Sequence, residues 1–329
     1  MGASIGCLEK PNKKIKIVPR SLEQLNFDPN IVIEWQAERC TEKYHWWPML
    51  DKDDDIEDPV NNLFAIGGGL DKYDKIFLTK SREYQYRHHR IPPNSERADK
   101  YWAGFCDRAA CLSCLYDYPR KHVTVQVNDR EIEFSPSDIE ALMICAEDRT
   151  IRKGMSLFFG ERNNLSEEEL LTLPRKNARN AKQEPYPLEL IEILKKLTSE
   201  LGPFVVDIDN GDAVWNYPYD EVIVRIENNK YFQSKLFSQG KNRVYRFQLL
   251  SSAYPEKNMN FVGLVNKHNN QIRQKWLSKE NPDFLWKQYP NINCWSGKSR
   301  LNPYLDAFCI YQIYLQSISR DNKIVKFKI

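Results

Sequence analysis

The sequence predicts an α+β fold, with helices gathered in the middle of the chain and a run of strands behind them, not the alternation of a parallel-sheet enzyme. Three observations carry this. Residues 123–134 alternate apolar and polar side chains on either side of Asn128-Asp129, the pattern of a hairpin. Leu190, Ile193, Leu194, Leu197 and Leu201 recur at helical spacing along one face of residues 188–201. Strand-like runs at 204–208, 222–226, 244–249 and 261–265 then follow, separated by turn-rich segments.

The elements can be justified in order. Residues 21–100 read as a lead-in of mixed character that wraps the core. It contains the pair Trp46-Trp47, an acidic stretch from Asp51 to Asp58 and the run Gly67-Gly68-Gly69. The acidic stretch lacks the ligand spacing and turn glycine of a calcium loop, so a solvated loop is expected. The three glycines match no phosphate-loop pattern and read as a turn. After the hairpin, Ser135-Pro136-Ser137-Asp138 opens a helix, with Ser at the cap, Pro in the first turn and Asp three residues on. Ile139, Leu142 and Met143 are its buried stripe. Ser166 and Glu169 repeat that arrangement for a short helix through Leu173. Asn269-Asn270 joins the last strand-like run to Gln271–Trp276 as a second hairpin, and 304–318 is apolar enough for a closing helix.

Composition narrows the function. In 329 residues the net charge is +3, which makes no case for a nucleic-acid partner. No apolar run is long enough to span a bilayer, and no apolar core of a secretory signal is visible, so a cytoplasmic protein is expected. Eight cysteines in a chain of this length point to a reducing compartment, not a disulfide scaffold. Residues 1–20 form a basic segment of their own. Met1-Gly2-Ala3-Ser4-Ile5-Gly6-Cys7 resembles an N-myristoylation signal on Gly2 with a palmitoylatable Cys7, although Gly6 stands where Ser or Thr is usual. Lys10, Lys13, Lys14 and Lys16 follow. An acyl chain beside a basic patch implies association with a membrane surface.

The chemistry concentrates at residues 102–114. Cys106, Cys111 and Cys114 have the C-x4-C-x2-C spacing of plant-type ferredoxins, with Cys145 as a fourth thiolate, which is one reading. The second makes Cys106 a nucleophile at the start of a helix, where first-turn N–H groups acidify a thiol and hold an oxyanion. Ala109, Ala110, Leu112 and Leu115 are good helix formers, whereas a ligand loop needs more glycine. The third reading makes Cys111 and Cys114 small buried residues of that helix.

The flanking residues resemble the transglutaminase elicitor family. Trp102, Gly104 and Cys106 match its W-x-G-x-C nucleophile motif. Tyr118-Pro119, Val123-Thr124-Val125 and Phe134 to Leu142 look like its P-V-T-V hairpin and D-I-K-A-L helix. Phe158 to Arg162, Phe204 to Asp207, Val214 to Pro218, Trp276 and Pro282 to Trp286 are similar to further blocks, in the family's order, over roughly residues 100–290. The resemblance implies a papain-like, transglutaminase-like core across residues 101–329, an antiparallel sheet packed against the helix of the nucleophile. It implies a cysteine acyltransferase that joins glutamine to lysine, or deamidates glutamine, through a thioester. Cys106 would be the nucleophile and Asp207 the orienting acid, with Trp102 at the oxyanion site and Trp215 and Asn216 beside the substrate. The partners implied are a protein with accessible Gln and a Lys or small amine; no metal or cofactor is needed.

One departure is plain. Where the family has F-H-x-x-L this chain reads Pro185-Tyr186-Pro187-Leu188-Glu189-Leu190, and no histidine lies between Arg130 and His268. Asp107 also follows the nucleophile where the family usually has His or Asn. Three accounts follow. His122 or His268 enters the site from elsewhere, Glu189 takes the role of the base, or the fold is kept as a catalytically silent interaction protein.

Overall fold

The computed structural model describes residues 33–49, 62–92, 103–147, 156–160, 172, 185–200, 202–208, 213–227, 240–269, 271–278, 282–289, 295–299, 301–321 and 324–328. In chain order the elements are β1 (Ile33–Gln36), α1 (Gly69–Phe77), α2 (Ser81–His89), α3 (Cys106–Leu115), β2 (Val123–Val127), β3 (Arg130–Phe134), α4 (Pro136–Ala146) and β4 (Ser156–Gly160). There follow α5 (Pro187–Thr198), β5 (Phe204–Asp207), β6 (Asn216–Tyr219), β7 (Glu221–Glu227), β8 (Lys241–Leu250), β9 (Met259–His268), β10 (Gln271–Trp276), β11 (Phe284–Gln288), α6 (Ala307–Ile318) and β12 (Val325–Phe327). The fold is α+β with antiparallel sheets, as expected.

The chain divides into two compact units that interleave in sequence. One takes its described residues from 42–155 and 289–329, the other from 13–41 and 156–288. The expected lead-in is thus shared, since β1 belongs to the second unit and α1 and α2 to the first. Gly2, Cys7, Asp51 to Asp58 and the helix start expected at Ser166 and Glu169 lie outside the described residues. Among the described residues no helix is long and apolar enough to cross a membrane.

The helical unit is arranged around α4. Ser135 accepts the Asp138 N–H at its start while Asp138 returns the bond to Ser135, completing the box read from the sequence. Residues 138–146 are all buried, and α1, α3, α6 and β3 pack around them. Asn128, at φ 52, makes the two-residue turn of the β2–β3 hairpin, which β12 joins in parallel along β2. Asp74, near the end of α1, accepts the N–H groups of Ser81 (2.6 Å) and Arg82 (2.8 Å) and so caps α2. The helix carrying Cys106 packs on α4 within this unit. The unit's own sheet is three-stranded and mixed, because β12 runs parallel to β2.

The second unit holds two antiparallel sheets, in the orders β1-β7-β8-β9-β10 and β4-β11-β5-β6. The expected runs at 222–226, 244–249 and 261–265 are present as β7, β8 and β9, and the hairpin at Asn269 joins β9 to β10. The core combines Leu190, Ile193, Leu194 and Leu197 of α5 with Val222, Val224, Phe247 and Phe261 of the larger sheet. Phe247 and Phe261 stack at 5.0 Å, and Trp276 sits edge-on to both. The Trp276 indole donates to the Pro185 carbonyl at 3.0 Å, fixing the approach to α5. Gly263 permits that approach, because a Cβ there would lie 2.6 Å from the Pro187 side chain.

The end of α5 is held by a buried cation. Lys287, 2% exposed, donates to the carbonyls of Leu197 (3.1 Å), Glu200 (2.8 Å) and Gly202 (2.7 Å). A positive charge at a helix C-terminus is favoured by the helix dipole and satisfies carbonyls that have no helical partner. Lys287→Met removes the charge-assisted bonds and leaves those carbonyls without their shared donor. A loss of about 3 kcal/mol is expected in urea unfolding, an order-of-magnitude value for charged hydrogen bonds.

Candidate functional site

Cys106 is the first residue of α3 and 8% exposed. What positions it is a short strap of chain, residues 44–49, laid antiparallel along Ala103, Gly104 and Phe105. The Phe105 N–H points at two carbonyls, Trp46 (2.7 Å) and Trp47 (3.2 Å), and the Met49 N–H donates to the Ala103 carbonyl at 2.9 Å. Pro48 and Gly104 form an isolated bridge between these bonds. Gly104 has a packing reason in this arrangement. A Cβ there would fall 2.2 Å from the Trp46 indole, so only glycine lets the ring lie on the main chain just before the thiol. Trp47 adopts φ 44 and is buried. A bulky aromatic in the left-handed region costs energy that its surroundings must supply, and such residues gather at functional sites.

The first turn of α3 carries charge close to the thiol. Asp107 accepts the Arg108 N–H at 2.8 Å and suits the positive end of the helix dipole. The buried Arg108 guanidinium stands over the Phe105 ring at 4.6 Å and donates to the Ile144 carbonyl at 3.1 Å. His89, the last residue of α2, meets the Phe105 ring edge-on at 5.8 Å. Its Nδ1 is buried and has no hydrogen-bond partner among the described residues. Burial first, then the charges of Arg108 and His88, push its pKa down to about 4. It is therefore a neutral imidazole near neutral pH.

A second imidazole lies on the strap. His45 sits edge-on to Trp47 at 5.3 Å, its Nε2 buried without a partner among the described residues. Burial, then Lys43, lowers its pKa. Its main-chain N–H donates to the Glu140 carboxyl, which also accepts the Tyr118 hydroxyl at 3.0 Å. Burial pushes Glu140 up to about 7.

The other expected site residues have structural engagements. Trp102 lies outside the described residues. Asp207 ends β5 as expected, 1% exposed, and its Oδ1 accepts the Trp215 N–H at 2.8 Å. It pairs across to Asn216, whose Oδ1 accepts the Trp286 indole N–H at 2.8 Å. Asp207, Trp215 and Asn216 are thus together, in the unit that does not contain Cys106. Glu189 belongs to that unit too and accepts the Tyr186 N–H at 2.9 Å, as the third residue of a helix-start box. His122 pairs with Glu133 at 3.2 Å on the exposed face of the hairpin, and His268 closes β9.

The ferredoxin-like spacing belongs to a helix. Cys106, Cys111 and Cys114 all lie on the continuous α3 and Cys145 on α4. At about 100° per residue the three α3 thiols leave the axis in different directions. Among the described residues no three His, Cys, Asp or Glu side chains are grouped to hold a metal ion. Cys111 faces Glu147 at 3.7 Å, and burial pushes the Cys145 thiol up to about 12.

The chain matches no family model, no curated protein and no solved structure. The two imidazoles at the start of α3 escape the sequence reading. Arg87-His88-His89-Arg90 is legible there only as the basic end of a helix.

Gly104→Ala tests the strap. The added methyl must displace the Trp46 ring, and a loss of roughly 1–3 kcal/mol is expected by urea unfolding, typical of overpacking. Trp46→Leu in the same chain should recover most of it.

Proposed function

We propose that the protein is a cysteine acyltransferase of transglutaminase-like chemistry in which Cys106 is the nucleophile and His89 replaces the missing family histidine. The observation that carries this reading is the buried imidazole of His89, neutral and with an unpartnered Nδ1, set against the residue that precedes the thiol. The place of Cys106 at the head of α3 supports it as well, because a helix N-terminus favours the thiolate. The papain-like core is part of the same proposal.

In this reading His89 takes the thiol proton, and the thiolate sulfur attacks the side-chain carbonyl carbon of a glutamine. The C–N bond of the tetrahedral intermediate breaks, and ammonia leaves with the proton from the imidazolium. A lysine amine then attacks the thioester and gives its proton to His89. The C–S bond breaks, releasing an isopeptide and the thiolate; water in place of the amine gives glutamate. Burial and the charges of Arg108 and His88 disfavour the imidazolium, so the thiolate is the anion that stabilises it during the reaction.

A second reading, a silent interaction protein, is favoured by the engagements of Glu189, Asp207 and Asn216, each held in a structural hydrogen bond. Incorporation of a fluorescent primary amine into a glutamine-rich protein separates the two. Activity in the wild-type chain is expected to vanish in Cys106→Ala and to fall by about 10²–10⁴-fold in His89→Ala, the usual range for a general base. A folded wild-type chain that neither incorporates amine nor releases ammonia supports the silent reading.

A further inference from the structure

We propose that Glu140 is a protonation switch for the strap of residues 44–49, seating it on the start of α3 when the carboxyl is neutral and loosening it when the carboxyl is charged. The proposal rests on the Cys106 reading only for its consequence, control over the geometry one residue before that thiol.

The geometry is specific. Glu140 is 2% exposed on α4, and its two hydrogen-bond donors come from outside that helix, the His45 N–H on the strap and the Tyr118 hydroxyl. The Trp47 indole N–H, also on the strap, lies against the same carboxyl without completing a hydrogen bond. Among the described residues no cation pairs with Glu140. Asp138, two residues earlier, has the Lys72 ammonium at 2.6 Å and the Ser135 hydroxyl at 2.7 Å.

Several charged groups on the elements packed around α4 have partners of their own, among them Lys75 with Asp71 and Asp74 with the start of α2. Lys72 of α1 is taken by Asp138, and Arg108 of α3 by Ile144 and the Phe105 ring. Glu133 of β3 pairs with His122, and α6 carries no charged residue. On the strap side Lys43 bears on His45, and Glu42 accepts the Tyr118 N–H and the Arg120 guanidinium. Burial and the adjoining Glu140 push the Tyr118 phenol well above its ordinary range, so it stays a neutral donor.

An ionised Glu140 would be a buried anion with two neutral donors and no counter-ion. Admitting water by lifting the strap relieves it, and the strained φ of Trp47 favours the same movement. The sign follows from the raised pKa. The seated form retains its proton up to about pH 7, whereas a solvated carboxyl loses it near 4.5. Seating is therefore strongest below the lower value, weakens progressively as pH rises from it to the upper one, and loses nothing further above.

Hydrogen exchange at the Phe105 amide, the group held by Trp46 and Trp47, reads the strap directly. After correction for intrinsic rates, opening should increase up to roughly tenfold per pH unit between about pH 4.5 and pH 7 and level off above that. Glu140→Gln should flatten that dependence, and Tyr118→Phe, by removing a donor to the seated carboxylate, should move its upper limit to higher pH. Constant corrected protection in the wild-type chain overturns the proposal, as does an unchanged pH dependence in a folded Glu140→Gln chain. If Glu140→Gln does not fold, an unmoved upper limit in Tyr118→Phe overturns it equally. The same switch in Cys106→Ala separates it from any failure of catalysis.

Discussion

A helix buried on every side must find a partner for each polar group it carries, and in the helical unit that helix is α4. Its first turns hold two buried carboxyls, Asp138 and Glu140. Asp138 is answered locally by Ser135 and from α1 by Lys72. Glu140 can be answered only from further away, by main chain at His45 and a hydroxyl at Tyr118. The strap over α3 is thus tied to α4 by a demand for hydrogen bonds that apolar packing could not make. Cys106 inherits its setting from that tie, through the Phe105 N–H and the Trp46 ring on Gly104.

The second unit solves a different problem, the sharp end of α5 and the turns joining short strands. It does so by placing polar side chains on main-chain groups. Lys287 gathers three carbonyls, Asp207 takes the Trp215 N–H, and Asp220 takes the Thr41 N–H at 2.6 Å and the Ser252 N–H at 3.1 Å. Acids that look catalytic in a linear motif are in this unit hydrogen-bond acceptors for loops and helix starts.

Legibility follows the range of the forces involved. The β2–β3 hairpin, the α4 box and the α5 stripe depend on residues within a few positions of one another, and each was readable from the sequence. Short strands were not. β1, β6 and β12 hold three or four residues each, too few for a periodic signal, and exist because a distant strand supplies their hydrogen bonds. At the candidate site the helix start at Cys106 was readable from Ala109, Ala110 and Leu112. His89 was not, since its relation to Phe105 depends on how α2 and α3 pack and on no local pattern. Glu189 shows the reverse case. Pro187 two residues before it already spells a helix start, and that local role is the one it has.

The thiols of the α3–α4 pair carry a consequence of their own. Cys111 and Cys145 are 0% exposed and Cys114 is 5% exposed, so an electrophile in solvent meets them only when the two helices part. Their rate of modification is then that of an exposed thiol scaled down by how rarely the helices part. The native chain contains a molecular clock for the breathing of its helical core, readable by mass with no label introduced.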